Sequence, residues 1–393
     1  MLQLFRRKSK GCRRHGQKEK ADDVPETHSG DHLSSRNEKV PPASRRKMNL
    51  RFSPPTFSSV EIARTGMPEL SWYAMKRKPK QWIGMDLGGT KLAAAMVGEN
   101  GSIRGQLKVP TEISGGWPKL RKQILDICRM LQDKHGKASG VGIGSAGPLH
   151  APSGQLLDPT NFGWTSPLKV RISSELRRAL HLPVELENDA AAAALAESWK
   201  GGGGKNFVAL TLGTGLGVGV IAEGKLVRGG RGLHPEGGHI LLRAGDASAP
   251  CGCGNLGCAE AFLSGKNFSA RAAKILGEKE ISGEKLAERA SLGDKRAIAL
   301  FSEYSCLLAE YLQNIVVLYY PERVIFSGSF ALASHLFLPN AEQNLRKLIE
   351  RRLRTIPLMP VLRPSRLGEK AGILGAAFVA MHSKNGNTSY ASQ

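Results

Sequence analysis

The chain has 393 residues, 41% of them hydrophobic, and a net charge of +22, which is enough for two ordinary domains around a large core. No apolar run reaches the ~18 residues of a membrane span, and "MLQLF" passes at once into basic residues, unlike a secretory leader. The six cysteines therefore read as reduced thiols of a cytoplasmic protein, suited to metal binding or chemistry rather than to a disulfide scaffold.

The charge is uneven. Residues 1–80 hold 19 Lys and Arg against 8 Asp and Glu, half of the excess in a fifth of the chain. This stretch includes "RRKSKGCRRHGQKEK" and "PPASRRK" and has no apolar periodicity. It reads as a basic, disordered N-terminal extension, with Met75 as an alternative start. A nucleic-acid arm or a targeting peptide is the functional alternative, though Asp22, Asp23 and Glu26 argue against a transit peptide. The body is only mildly basic, which suits an anionic ligand such as a nucleotide. Nucleic acid and membrane are not expected partners.

Ordered sequence begins at Gln81. "QWIGMDLGGTKLAAAMVGENGSIRGQLKVPT" reads as strand, Gly turn, strand, Asn-Gly turn, strand. "WPKLRKQILDICRMLQDKHG" has helical spacing, with Leu120, Ile124, Ile127, Cys128 and Leu131 on one face. "ASGVGIGSAGPLH" is a strand running into a Gly/Pro loop. "SPLKVRISSELRRALHL" reads as a helix opened by Pro167. "PVELEND" is a buried strand, and an Ala-rich helix follows, ended by glycines. The pattern then restarts: "NFVALTLGTGLGVGVIAEGKLVRGG" is again strand, Gly turn, strand, turn, strand. Helices are predicted from Phe262 to Tyr319, then the strand and turn "RVIFSGSF", then a final small-residue helix, "AGILGAAFVAMHS". The expectation is an α/β fold with duplicated architecture, two lobes and a cleft between them.

Two glycine turns stand at equivalent places in the halves. "DLGGTK" offers Asp86, Thr90 and Lys91 beside Gly88 and Gly89. "LGTGLG" offers Thr214 beside Gly213 and Gly215, with Thr211 just before. Glycine lets backbone N–H groups approach an anion, and a hydroxyl adds a donor. The pair could grip the phosphates of one nucleotide, with Asp86 holding Mg²⁺ through water; each alone could be a plain hairpin turn. Neither is a Walker A loop. Gly328, after the strand "RVIF", lies where an α/β sheet receives ligands and could take an adenosine, or be an ordinary turn.

Asn188 and Asp189 fall where a buried strand becomes a helix. One of them can cap the helix. The other then faces the crevice, where a carboxylate can take the proton of a hydroxyl attacking a γ-phosphate. In "APCGCGNLGCAE", Cys251, Cys253 and Cys258 join His239, twelve residues upstream of the first, as a Cys3His set. That is the composition of a closed structural zinc site. A disulfide would leave one cysteine over, and no base is evident for a catalytic thiol. Cys12, Cys128 and Cys306 read as a tail residue and two core residues.

These motifs together resemble the ROK family of sugar kinases and repressors. The matching stretches are "MDLGGTK", "GIGSAGP", "ENDAAAAALAE", "LTLGTGLGVGVI", "EGGH", "CGCGNLGCAEAFLSG" and "VIFSG". They occur in family order and cover roughly residues 81–385. The resemblance implies a two-lobed, ribonuclease-H-like duplicated ATPase fold with an interlobe cleft and a structural zinc loop. The N-terminal lobe would be residues 81–200 plus 370–385, and the C-terminal lobe residues 201–369. It implies that Asp86, Gly88, Gly89, Thr90, Lys91, Gly213, Thr214, Gly215 and Gly328 bind ATP with Mg²⁺. Asp189 would be the general base. Asn161 (in "TNFGW"), Asn188, Glu236, His239 and Glu260 would bind the sugar, His239 touching Zn²⁺ through its other ring nitrogen. The implied activity is an ATP-dependent hexose kinase, first of all for the 6-hydroxyl of glucose; kinases for N-acetylmannosamine, N-acetylglucosamine or fructose stay open, as does a sugar-responsive repressor, although residues 1–80 lack the helical periodicity of a DNA-binding motif. Family members are often homodimers. The chain departs from the family pattern at Ala191, at "EGGH", where Gly237 stands in place of the usual Ile, Leu or Phe and should loosen the loop, and in a longer gap between His239 and Cys251, with "RAGDASAP" as an exposed loop.

Overall fold

The structure, a computed structural model, describes residues 80–157, 162–164 and 169–383. The N-terminal extension, Asn161 and Pro167 lie outside these described residues.

The first sheet opens with an antiparallel meander: β1 (Gln81–Leu87), β2 (Lys91–Gly98) and β3 (Ile103–Pro110). Helix α1 (Gly116–His135) then crosses to β4 (Val141–Ser145), which lies parallel to β1. A small antiparallel sheet follows, of β5 (Leu149–His150), β6 (Gln155–Leu157) and β7 (Lys169–Val170). Helix α2 (Ile172–Leu180) leads to β8 (Val184–Asn188), parallel to β4, and α3 (Asp189–Ala196) follows directly. The sheet order is β3-β2-β1-β4-β8.

The second half repeats this plan. Strands β9 (Phe207–Leu212), β10 (Leu216–Ala222) and β11 (Lys225–Leu226) form the meander. Four helices follow: α4 (Ala259–Leu263), α5 (Gly265–Leu276), α6 (Gly283–Ser291) and α7 (Lys295–Tyr319). Strand β12 (Arg323–Ser327) joins β9 in parallel, and α8 (Leu338–Leu353) leads to β13 (Val361–Pro364) beside it. The order β11-β10-β9-β12-β13 matches that of the first sheet strand for strand. Helix α9 (Ala371–His382) returns to pack on β1, β4 and α3. No helix among the described residues is long and apolar enough to cross a membrane.

The face predicted for α1 is buried as expected, with Leu120, Ile124, Ile127, Cys128 and Leu131 all in the core. Three readings need correction. "SPLKVRISSELRRALHL" is not helical throughout: Val170 pairs with Leu156, is buried as a strand residue, and the helix starts at Ile172. Cys306 is exposed, because the buried stripe of α7 runs through Tyr304, Ser305, Leu307 and Leu308 and leaves it on the outer face. The elements α8, β13 and β5–β7 were not anticipated. The strands among them have two to four residues, too few for a period-two pattern to declare itself.

Helix α3 is the hub of the packing. A Cβ on Gly375 of α9 would lie 1.8 Å from the carbonyl oxygen of Ala192, and one on Gly219 of β10 would lie 2.3 Å from that of Ala190. On the other side of α9, a Cβ on Gly142 would lie 1.7 Å from the carbonyl oxygen of Ala376. Alanine and glycine thus let helix and sheet backbones meet directly. Gly375→Ala should gain about 1 kcal/mol of helix propensity yet lose more to overpacking, for a net destabilisation of about 2 kcal/mol. A urea melt checks this; an unchanged or raised midpoint would contradict the close approach.

Candidate active site

The parallel strands of each sheet end level with one another. Leu87 of β1, Ser145 of β4 and Asn188 of β8 form one row, and Thr211 of β9 pairs with Ser327 of β12. In α/β folds ligands bind beyond the carboxyl ends of such strands. Most of the candidate residues from the sequence stand at these ends.

At the end of β8 the division of labour between Asn188 and Asp189 is visible. Asn188 is the N-cap of α3: its Oδ1 accepts from the Ala191 amide at 3.0 Å. Its Nδ2 donates to Asp189 Oδ1 at 3.0 Å, and the Ala190 amide donates to the same oxygen at 2.8 Å. Oδ1 is therefore occupied, and Oδ2 is the oxygen left to receive a proton. Burial pushes the Asp189 carboxyl above the ordinary carboxylate range, against the lowering effect of the Ala190 amide and of His234. Asp86, at the end of β1, is pushed up to about 7 by burial and by Asp189, with Lys108 opposing. A Cβ on Gly372 would lie 2.3 Å from Asp86 Oδ2, so the start of α9 closes over this carboxylate. A desolvated carboxylate that a second carboxylate pushes further toward protonation is poised for a cation.

The first glycine turn is tied by Gly88, whose amide donates to the Lys91 carbonyl at 2.9 Å, and by Thr111, whose hydroxyl donates to the Gly88 carbonyl at 2.7 Å. Gly89 is half-buried beside it, and Thr90 and Lys91 are exposed. In the second turn the Gly213 amide donates to the Gly215 carbonyl at 3.1 Å, and Thr214 is exposed at the tip. Gly328 has φ +88°, and a Cβ there would lie 2.3 Å from the Leu212 carbonyl oxygen. Only glycine combines that backbone angle with that approach, and the result is that the turn after β12 touches the second glycine turn.

The cysteine loop connects to the second turn. His239 Nδ1 lies 3.4 Å from Cys251 Sγ, and Cys253 Sγ lies 3.7 Å from Cys258 Sγ. The four donor atoms all fall within 4.8 Å of one another. A tetrahedral ion at about 2.3 Å from sulfur and about 2.0–2.1 Å from nitrogen sets S···S near 3.8 Å and S···N near 3.6 Å, so the donors fit such an ion. Burial pushes the Cys251 thiol up to about 12, which disfavours a free nucleophilic thiolate and suits a residue that ionises only on a cation. Glu260, in the first turn of α4, accepts from the Leu216 amide at 2.9 Å through Oε2 and lies 3.6 Å from Cys251 Sγ through Oε1. It thus joins the cysteine loop to the second glycine turn. The loop Arg243–Ser248 is mostly exposed, as anticipated. "EGGH" is not loose: Cβ atoms on Gly237 and Gly238 would lie 2.8 Å from Val218 Cγ2 and 2.2 Å from the Leu216 carbonyl oxygen, so both glycines sit tightly on β10.

Glu236 closes the circuit. Its Oε1 lies 2.8 Å from His234 Nε2 and its Oε2 lies 3.9 Å from His239 Nε2. Partial desolvation opposes its charge, but the His234 hydrogen bond and nearby His239 hold the carboxyl below its ordinary value. Electrostatic influence links Asp86 to Asp189 and Asp189 to Glu236, and contacts run from Glu236 through His239, Cys251 and Glu260 to the second turn.

A profile of the ROK family matches residues 82–383. The chain belongs to the ROK family. It is similar to a glucokinase of Streptomyces coelicolor, 34% identical over 324 residues that cover 76% of this chain and 96% of the relative. It is almost as similar to an N-acetylmannosamine kinase of Escherichia fergusonii, 33% identical over 310 residues that cover 77% of this chain and 99% of the relative. Among solved structures, a ROK family glucokinase from Streptomyces griseus in complex with glucose and AMPPNP superposes with a TM-score of 0.67 at 30% identity, over 77% of this chain and all of that one.

Sequence reasoning about this ROK chain missed two pairs. Glu187, fully buried beside Asn188, forms an ion pair with Arg228 (Nη1 to Oε1 3.3 Å) and accepts from the Asn188 amide at 2.9 Å. His234, in "RGLHPEGGH", holds Glu236. The Glu187 pair spans 41 residues with no local pattern to announce it; a histidine two residues before a candidate glutamate was the available cue for the other.

The raised Asp189 carboxyl has a stability consequence. Its charge costs the folded state nothing below the unfolded value near 3.8 and costs most above its raised folded value. Asp189→Asn, which keeps the Oδ1 acceptor, should raise Tm at pH 7, and the gain should vanish toward pH 4. A lower Tm for the variant at pH 7 would refute this.

Proposed function

We propose that this ROK-family sugar kinase transfers the γ-phosphoryl group of ATP to the 6-hydroxyl of glucose. The observation that carries the reading is Asp189: a half-buried, desolvated carboxylate with one oxygen fixed by two donors, at a strand end level with a glycine turn. The glucokinase and N-acetylmannosamine kinase relatives support a hexose or amino-sugar acceptor, and the AMPPNP complex of the relative supports ATP as donor.

In this reading the sugar lies between the two halves against Asn161, Asn188, Glu236, His239 and Glu260. Asp189 Oδ2 takes the proton of the 6-hydroxyl as that oxygen forms its bond to the γ-phosphorus and the bond to the departing ADP oxygen breaks. Gly88, Gly89, Thr90 and Lys91 on one side, and Gly213, Thr214, Gly215 and Gly328 on the other, line the nucleotide and hold it with backbone amides other than those of Gly88 and Gly213, which close the turns themselves, together with hydroxyls and one ammonium. Mg²⁺, when bound, supplies positive charge at the phosphates; Asp86 would hold it through water, which suits a buried carboxylate that burial and Asp189 otherwise push toward protonation. Zn²⁺ on His239, Cys251, Cys253 and Cys258 would pin the loop that carries His239 and Glu260, so that each presents its remaining polar atom in a fixed direction.

A coupled ATP assay over glucose, N-acetylmannosamine, N-acetylglucosamine and fructose should give glucose the highest kcat/KM. A preference for N-acetylmannosamine would keep the kinase and change its substrate. Asp189→Ala should cut kcat by about 10²–10⁴ while calorimetry shows sugar affinity within tenfold of wild type; near wild-type turnover would remove Asp189 as the base.

The protein should carry one equivalent of zinc by elemental analysis. Cys253→Ala or chelation should abolish sugar binding and lower Tm. Full activity in a folded, zinc-free sample would break the link between metal and sugar.

A further inference from the structure

We propose that His234 is a positioning residue of the sugar subsite, locking Glu236 in the rotamer that presents its second oxygen to the substrate. The inference rests on the sugar-kinase reading and adds to it a residue outside the ligand set above.

The segment between β11 and His239 is strapped to the first half of the molecule at several points. Arg228 pairs with Glu187. The Arg231 carbonyl lies 2.9 Å from His150 Nε2. A Cβ built on Gly147 would lie 2.8 Å from His234 Nε2 and 3.2 Å from Glu236 Oε1, so the Gly/Pro loop after β4 closes directly over the His–Glu pair. The strap therefore delivers His234 to a fixed place, with a side chain only 5% exposed.

The two ring nitrogens then have different fates. Nε2 faces a carboxylate oxygen at 2.8 Å, so Nε2 carries the hydrogen and donates. Nδ1 is buried and has no hydrogen-bond partner among the described residues. A proton on Nδ1 would be a buried donor with nowhere to go, which is costly. The Nε2–H tautomer is selected, and the ring is a one-directional donor.

Glu236 needs that donor. Its side chain is 51% exposed and without a fixed partner would exchange among rotamers. With Oε1 held by His234, Oε2 faces His239 Nε2 across 3.9 Å. One hydroxyl oxygen can bridge that gap, accepting from the histidine and donating to the carboxylate. The subsite is preorganised only while His234 stays in place.

The test compares His234→Gln, His234→Asn and His234→Phe in the full chain. The Gln amide nitrogen can reach the place of imidazole Nε2; the Asn amide reaches only the place of Nδ1; Phe fills the volume without a donor. Steady-state kinetics with glucose and N-acetylmannosamine, each at varied ATP, should show KM for the sugar raised about tenfold or more in Asn and Phe, the scale of one charge-assisted hydrogen bond. KM for ATP should stay unchanged, and Gln should remain within about threefold of wild type. Equal sugar KM in all variants, or parallel rises for sugar and ATP, would overturn the inference while leaving the kinase reading intact. A wild-type chain inactive on both sugars would overturn the kinase reading and the inference with it. If the Phe variant does not fold, the comparison of Asn with Gln decides.

Discussion

The site depends on how closely α3 is held by its neighbours. Its residues from Ala190 to Ala194 carry nothing larger than a methyl group, and the glycines of α9 and β10 that face it carry nothing at all. Backbone rests on backbone, so the helix has little room to slide. Because α3 begins at Asp189, one residue after β8 ends, fixing the helix fixes the carboxylate. The same helix touches both sheets, so the proposed base is referenced to the two halves at once. Small residues here serve geometric definition rather than apolar area.

Three carboxylates in the site live in three different environments. Asp189 is half-buried and raised, with a helix amide and an asparagine on one oxygen. Asp86 is raised by burial and by Asp189 itself. Glu236, half exposed, is lowered by its histidine neighbours despite partial desolvation. Divergent environments are how like groups come to take unlike roles; in the proposed reaction one accepts a proton, one faces a cation, and one stays ionised as a hydrogen-bond acceptor. The ligand-free protein bears the cost of the first two charges, which ties stability to occupancy of the site.

The local features of this arrangement were legible in the sequence. The glycine turns, the strand ending in Asn188 and Asp189, and the cysteine cluster with His239 are short patterns, and each forms its motif from residues close in the chain. Which of the Asn–Asp pair caps the helix needed coordinates, since both residue types can do it. The links between motifs were not legible. The bond from Glu260 to the Leu216 amide spans 44 residues, and that from Arg228 to Glu187 spans 41. Neither has a period or a spacing rule. The short strands β5–β7 and β13 failed for the opposite reason, being too brief to show alternation. The glycines of "EGGH" misled because freedom in a peptide was read as freedom in the fold, whereas here the missing side chains allow closer packing on β10.

Helix α9 bears on how the molecule is made. It covers β1 and β4, yet almost three hundred residues separate it from β1. During synthesis the glycine-lined face of the first sheet stays bare until the whole second half has emerged. The first half therefore cannot finish ahead of the second in the usual vectorial order. Its completion waits on a contact of very high sequence separation, the kind that slows folding. A nascent chain arrested before residue 371 would present Gly84, Gly142 and the methyl-lined flank of α3 to solvent, the kind of transiently bare apolar surface that chaperones recognise.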